Sequence, residues 1–201
     1  VAGVAIVSVA EGGAGVAWQA TFGAADPSAV RDTLGGSMFP GSGKTARFTV
    51  ATALNLHFTS AAMAIPGNDF FIGNDSPTEY ELVNSSDNLQ TSTVTGKAHE
   101  IWNAGSEVFD SAAAAFLVVG NKDLRALRNS VVARNFAEFY GFNSLSTAAG
   151  YTVNSQRAAN NGVCRISFSA VAVPGWQSYA LTLTGLRGIG WQARRRQATG
   201  R

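Results

Sequence analysis

Residues Leu54 to Asn74 read LNLHFTSAAMAIPGNDFFIGN. Leu54-Asn55-Leu56-His57-Phe58 alternates apolar and polar side chains, as a half-buried strand does. Ala61 to Ile65 is a short apolar run. Pro66-Gly67-Asn68-Asp69 breaks it, and Phe70-Phe71-Ile72-Gly73 resumes before a second turn cluster, Asn74-Asp75-Ser76-Pro77. Upstream, Arg47-Phe48-Thr49-Val50 carries the same alternation. Downstream, Tyr80-Glu81-Leu82-Val83 leads into a turn at Ser85-Ser86-Asp87-Asn88, and strand signals return at Tyr151-Thr152-Val153 and Arg165-Ile166-Ser167-Phe168. Short strands at this spacing predict an all-β fold, an antiparallel β-sandwich.

Two stretches depart from that pattern. The first ten residues, VAGVAIVSVA, are small and apolar; they read either as a first β-strand or as a signal-peptide remnant, because Ser8-Val9-Ala10 has the small-x-small form of a cleavage site. Leu124, Leu127, Val131 and Phe139 fall on a helical stripe, with Asn121 to cap it and Gly141 to end it. One short helical insert is therefore expected over 121–140, with Arg125, Arg128 and Arg134 on its solvated face. The chain divides into an N-terminal segment 1–35, a β-sandwich over 36–173 and an apolar, basic C-terminal tail over 174–201.

Composition narrows the function. The 201 residues are 46% hydrophobic and only 14% charged, with 22 glycines, whereas an average soluble domain is roughly 25% charged. That excludes a disordered charged tail protein and suits an exported strand-and-turn protein. No run of 18 uncharged apolar residues occurs, so an ordinary spanning helix is not expected. Five arginines lie beyond residue 180, which leaves ten of the 15 basic groups against all 13 acids over residues 1–180. A mildly acidic body does not suit a nucleic-acid partner.

The motifs for common chemistries are incomplete. Gly41-Ser42-Gly43-Lys44-Thr45 ends like a phosphate loop, but Met38 stands where that loop needs its first glycine. His57 and His99, the only histidines, form no metal-spaced pair, and no Gly-x-Ser-x-Gly elbow accompanies them. The single cysteine, Cys164, reads as a small side chain within a strand. The oxygen-rich turns at Asn68-Asp69, Asn74-Asp75, Asn103 to Glu107 and Asp110 offer the carboxylates and amides that calcium takes; Asn and Asp are also ordinary turn formers.

The run Ala61 to Asn74 resembles the first signature of the spondin N-terminal domain family, Ser-Met-x-x-Pro-(Ser/Thr)-Asn-Asp-x-Phe. About 30 residues later, Ile101-Trp102-Asn103-Ala104-Gly105-Ser106-Glu107 resembles its second, Asp-Ala-Gly-Thr-Glu. Gly141 to Leu145 and Ala148 to Tyr151 resemble the closing strands of bacterial members, so the likeness covers 36–120 and 141–170. The resemblance implies an antiparallel β-sandwich of secreted or matrix-associated proteins, without established catalysis and with a calcium site in animal relatives. Carried over by position, the metal-side residues are Asp69, Asn103, Glu107 and Asp110. Asn103 stands in place of an Asp and removes a negative charge, which predicts a weak calcium site. Ser106 in place of Thr keeps the hydroxyl.

The tail resembles the PEP-CTERM sorting signal of bacterial envelope proteins. Val173-Pro174 stands where that motif begins, Gly175-Trp176 replaces its Glu-Pro, and Arg194–Arg196 takes the place of the cytoplasmic stop. Arg187 interrupts the apolar span, at about 2.5–3.5 kcal/mol for a central Arg. The resemblance implies membrane attachment through the tail.

Together these readings predict an exported, non-enzymatic adhesion or extracellular-matrix module of the cell envelope, whose partner is a protein or polysaccharide. A rival is an envelope polysaccharide hydrolase with Asp69 and Glu107 as its acid/base pair and Trp102 to stack a sugar. Another is a structural subunit of an extracellular assembly without a ligand site. The Pro66–Asp69 turn and the Asn103–Asp110 segment are expected side by side at one rim, with Gly105 permitting the tight turn. Glu107→Gln is expected to weaken calcium binding at no cost to the calcium-free fold.

Overall fold

The computed structural model describes residues 3–67, 69–156 and 162–171. The chain divides into two units, Val1–Phe168 and Ser169–Arg201. The tail readings at Val173 to Arg201, and Asn68, lie outside the described residues. Within the first unit the elements run α1 (Val4–Gly12), α2 (Val16–Ala25), β1 (His57–Phe58), β2 (Ala61–Met63), β3 (Phe70–Gly73), β4 (Tyr80–Glu81), β5 (Thr93–Gly96), β6 (Trp102–Asn103), β7 (Ala133–Arg134), α3 (Phe136–Tyr140) and β8 (Cys164–Ser167). Single 3-10 turns occur at Ala98–Glu100, Ser111–Ala113 and Lys122–Leu124. The fold is β-rich, and its sheets are antiparallel: β2-β3-β6-β7, β1-β4 and β5-β8.

Strand β3 organises the core, because successive side chains on a strand point to opposite faces. Phe70 enters a cluster with Ile101, Leu117, Phe139 and Phe142. Its ring meets those of Phe139 and Phe142 edge-on at 5.6 and 5.8 Å. Phe71 enters a second cluster with Ala10 and Ala104, flanked by Ile6, Val7 and Trp102. One strand thus carries the main core on one face and docks α1 on the other.

Four expectations need correction. Val4–Gly12 is a helix, not a strand. Gly13, at φ 64°, closes it by donating to Val9 O, and Ala14 N donates to Ser8 O. This paired return satisfies carbonyls a strand would have left to a neighbour. With α1 and α2 present, the helical content is not confined to one insert. The expected 121–140 helix is also broken. Asn121 does cap, accepting from Asp123 N, but the turn ends at Leu124 and Arg125 is extended. The backbone then runs beside 105–108 instead of coiling: Arg128 N donates to Ser106 O at 2.7 Å, Ser130 N to Gly105 O at 2.9 Å, and Val108 N to Ala126 O at 2.8 Å. Leu127 is consequently 90% exposed. A second Asn cap, Asn135, starts the short α3. Finally, Arg47–Val50 has no strand partner among the described residues and is irregular.

Candidate functional site

The two turns expected side by side do meet. Strand pairing sets Phe70 opposite Asn103, and Ala104 N donates to Asp69 O at 2.8 Å. That register delivers the Asp69 carboxylate to the following loop. Its Oδ1 accepts from Ser106 N at 3.3 Å and from Ser106 Oγ, and its Oδ2 accepts from Glu107 N at 3.2 Å. Gly105, at φ 71°, turns the backbone so that both amides face the carboxylate.

Asp69, Asn103 and Glu107 are all buried, and each is engaged. Asn103 Oδ1 accepts from Gly105 N at 2.6 Å, and its Nδ2 donates to Glu138 Oε2 at 2.8 Å, which ties β6 to α3. Glu107 Oε1 lies 3.2 Å from Arg125 Nη1. Asp110 is placed differently: it is exposed, and its carboxylate accepts from Ala112 N at 2.8 Å to cap the Ser111–Ala113 turn. Three of the four residues implied as metal-side positions therefore share a buried clasp, while the fourth is a helix-turn cap.

Sequence reasoning missed Glu11. Ser106 Oγ lies 2.7 Å from Glu11 Oε1 as well as against Asp69. A hydroxyl has one proton to donate, so two carboxylates share it. Burial pushes the Asp69 carboxyl above its ordinary value and the Glu11 charge adds to this, while the Ser106 and Glu107 donors pull the other way. Glu11 is the only charged residue before Asp26, and that isolation in an apolar stretch was the one available signal. Arg125 was expected on a solvated helix face and instead neutralises Glu107.

The donor chemistry suits a hard cation only in part. Carboxylate and amide oxygens are present, but Asn103 and Glu107 already serve Gly105 and Arg125. Among the described residues no group of three or more His, Cys, Asp or Glu is arranged to hold a metal ion. His57 lies on β1 and His99 in the 3-10 turn at Ala98–Glu100, 3.9 Å from Glu100. The Gly41–Lys44 stretch is a turn at Gly41, φ 80°, followed by irregular backbone rather than a helix N-terminus. Among the described residues no helix is long and apolar enough to cross a membrane. Comparison with family models, with curated proteins and with solved structures finds no match to this chain.

Proposed function

We propose that the chain is an exported, non-enzymatic adhesion or extracellular-matrix module, a spondin-like β-sandwich with a weak calcium site at Asp69 and Glu107. The observation that carries this reading is the clasp itself. The two segments resembling the family's signatures are joined through Asp69, Ser106 and the amide of Glu107. Its buried polar groups hold one loop against another, as a binding scaffold requires. Calcium at this position relieves the repulsion between Asp69 and Glu11 and competes with Arg125 for Glu107, which makes the affinity low.

A calcium titration followed by thermal melting tests the metal part. The expected result is a rise in melting temperature at millimolar calcium that Glu107→Gln reduces. No rise at that concentration removes calcium from the reading. Cleavage of envelope polysaccharide by the purified chain, abolished by Asp69→Asn, overturns its non-enzymatic part.

A further inference from the structure

A cleft of about 250 Å³ opens between α2 and the segments 59–61 and 73–77 that flank the β2–β3 pair. Trp18 and Phe22 line it from one turn of α2 to the next, with ring centroids 5.7 Å apart, and Phe71 and Pro77 extend the apolar wall. Asp75 and Ser76 supply the polar rim. The rim is braced: Asp75 N donates to Glu79 Oε2 at 2.8 Å, and Arg134 Nη2 donates to Asp75 Oδ2. Asp75 Oδ1 and the Trp18 indole N–H make no hydrogen bond among the described residues.

Ligand chemistry follows from these groups. The electron-rich face of an indole attracts the weakly positive C–H face of a sugar ring. A fixed carboxylate oxygen accepts from ring hydroxyls, and the indole N–H donates to one. A wholly apolar ligand would strip water from Asp75 without replacing it, at a cost. Arg134 is ion-paired to Asp75, so the rim carries no net charge to favour an ionic ligand over a neutral one. The cleft lies below the roughly 300–1,000 Å³ typical of drug-sized ligands, which suits one ring of a longer chain. We propose that this cleft binds a neutral pyranose unit of a polysaccharide, stacked on Trp18 and hydrogen-bonded by Asp75. The inference does not depend on calcium at Asp69.

Isothermal titration of the full chain with cellohexaose, chitohexaose, mannohexaose and polygalacturonate, with EDTA present, tests it. At least one neutral hexaose is expected to bind, and polygalacturonate not to. Trp18→Ala should weaken binding at least tenfold, and Asp75→Asn several-fold. Because Trp18→Ala also removes packing from α2, Trp18→Phe provides the conservative arm and should retain part of the affinity at an unchanged melting temperature. The proposal is overturned if no neutral hexaose binds at millimolar concentration, or if binding survives both Trp18→Ala and Asp75→Asn. Preference for polygalacturonate, or binding only after calcium is restored, overturns it equally.

Discussion

Ser106 and Glu11, 95 positions apart in the sequence, meet at 2.7 Å between hydroxyl and carboxylate. This contact joins α1 to the loop after β6 at the point where Asp69 also draws on the same hydroxyl. The Asp69 carboxyl is pushed up in the folded state, chiefly by burial and further by Glu11. A raised folded value stabilises the fold below the ordinary carboxylate range, and that contribution is lost as pH rises through the folded value. Glu11→Gln removes the repulsion and keeps a carbonyl to accept from Ser106. The variant should therefore melt higher than wild type at pH 7, with the difference vanishing toward pH 4. A variant that melts lower at every pH would show the Glu11 charge to be favourable.

Gly105→Ala tests the turn that aims the loop at Asp69. At φ 71° an L side chain is strained, and its Cβ would stand 2.8 Å from Val131 O and 3.0 Å from Ser130 C. Those are backbone atoms of the neighbouring strand-like segment and have little room to retreat. The expected loss is about 2–4 kcal/mol by urea denaturation. Gly150→Ala is the control. At φ 86° it meets nothing within 4 Å, so only the strain of about 1–2 kcal/mol remains.

The legible parts of this fold were those whose signal is local. Phe70-Phe71-Ile72-Gly73 became β3 because turn clusters bound a short apolar run, and Arg165 to Ser167 fell within β8 because polar and apolar residues alternate there. Asn121 caps and Gly141 ends elements of the 121–141 stretch, yet the continuous helix expected between them does not form, and Asn135 starts a separate short α3. Residues 126–130 find backbone partners in 105–108, and such pairing across the chain leaves no mark in a helical stripe. The site divides in the same way. Asp69 and Glu107 were visible as oxygen-rich turn residues, whereas the Ser106 link to Glu11 and the Glu107–Arg125 pair depend on tertiary placement. Val4 to Gly12 is a helix where one of its two readings expects a strand, because small apolar residues suit a strand and a helix alike.

Phe70 and Leu127 separate core from surface. Phe70 is 1% exposed and sits among Phe109, Phe139 and Phe142. Phe70→Ala should cost about 3–5 kcal/mol through lost transfer energy and the cavity left behind. Leu127→Ala should change stability by about 0.5 kcal/mol or less, since its side chain is almost fully in solvent. Equal losses in chemical denaturation would mean that 124–131 packs as the helix expected from sequence.

Cys164 on β8 is a half-buried thiol whose pKa burial pushes up, with the Glu100 charge adding to this and the Gly96 backbone opposing it. Reactivity follows the thiolate. Modification by an aromatic disulfide reagent at pH 7 should be slower than for free cysteine. It should accelerate on adding denaturant. A rate at or above that of free cysteine in the folded state would place the thiol in an activated site.

Glu107→Gln probes the ion pair that sequence reasoning did not anticipate. Glu107 is 4% exposed, and its carboxylate faces Arg125 Nη1 at 3.2 Å. Arg125 Nε is itself buried without a hydrogen bond among the described residues. Removing the Glu107 charge leaves a partly buried guanidinium beside a neutral amide, and breaking such a pair costs more than the pair contributes over an apolar substitute. The calcium-free fold should lose about 1–3 kcal/mol, in place of the neutral outcome expected from sequence. Arg125→Met should be destabilising for the complementary reason, because it removes the cation that faces the buried Glu107 carboxylate. Combining it with Glu107→Gln removes both charges, so the double variant should lose less than the two singles together, by a coupling of about 1–2 kcal/mol. Strict additivity in urea denaturation would show that Arg125 and Glu107 are not coupled in solution.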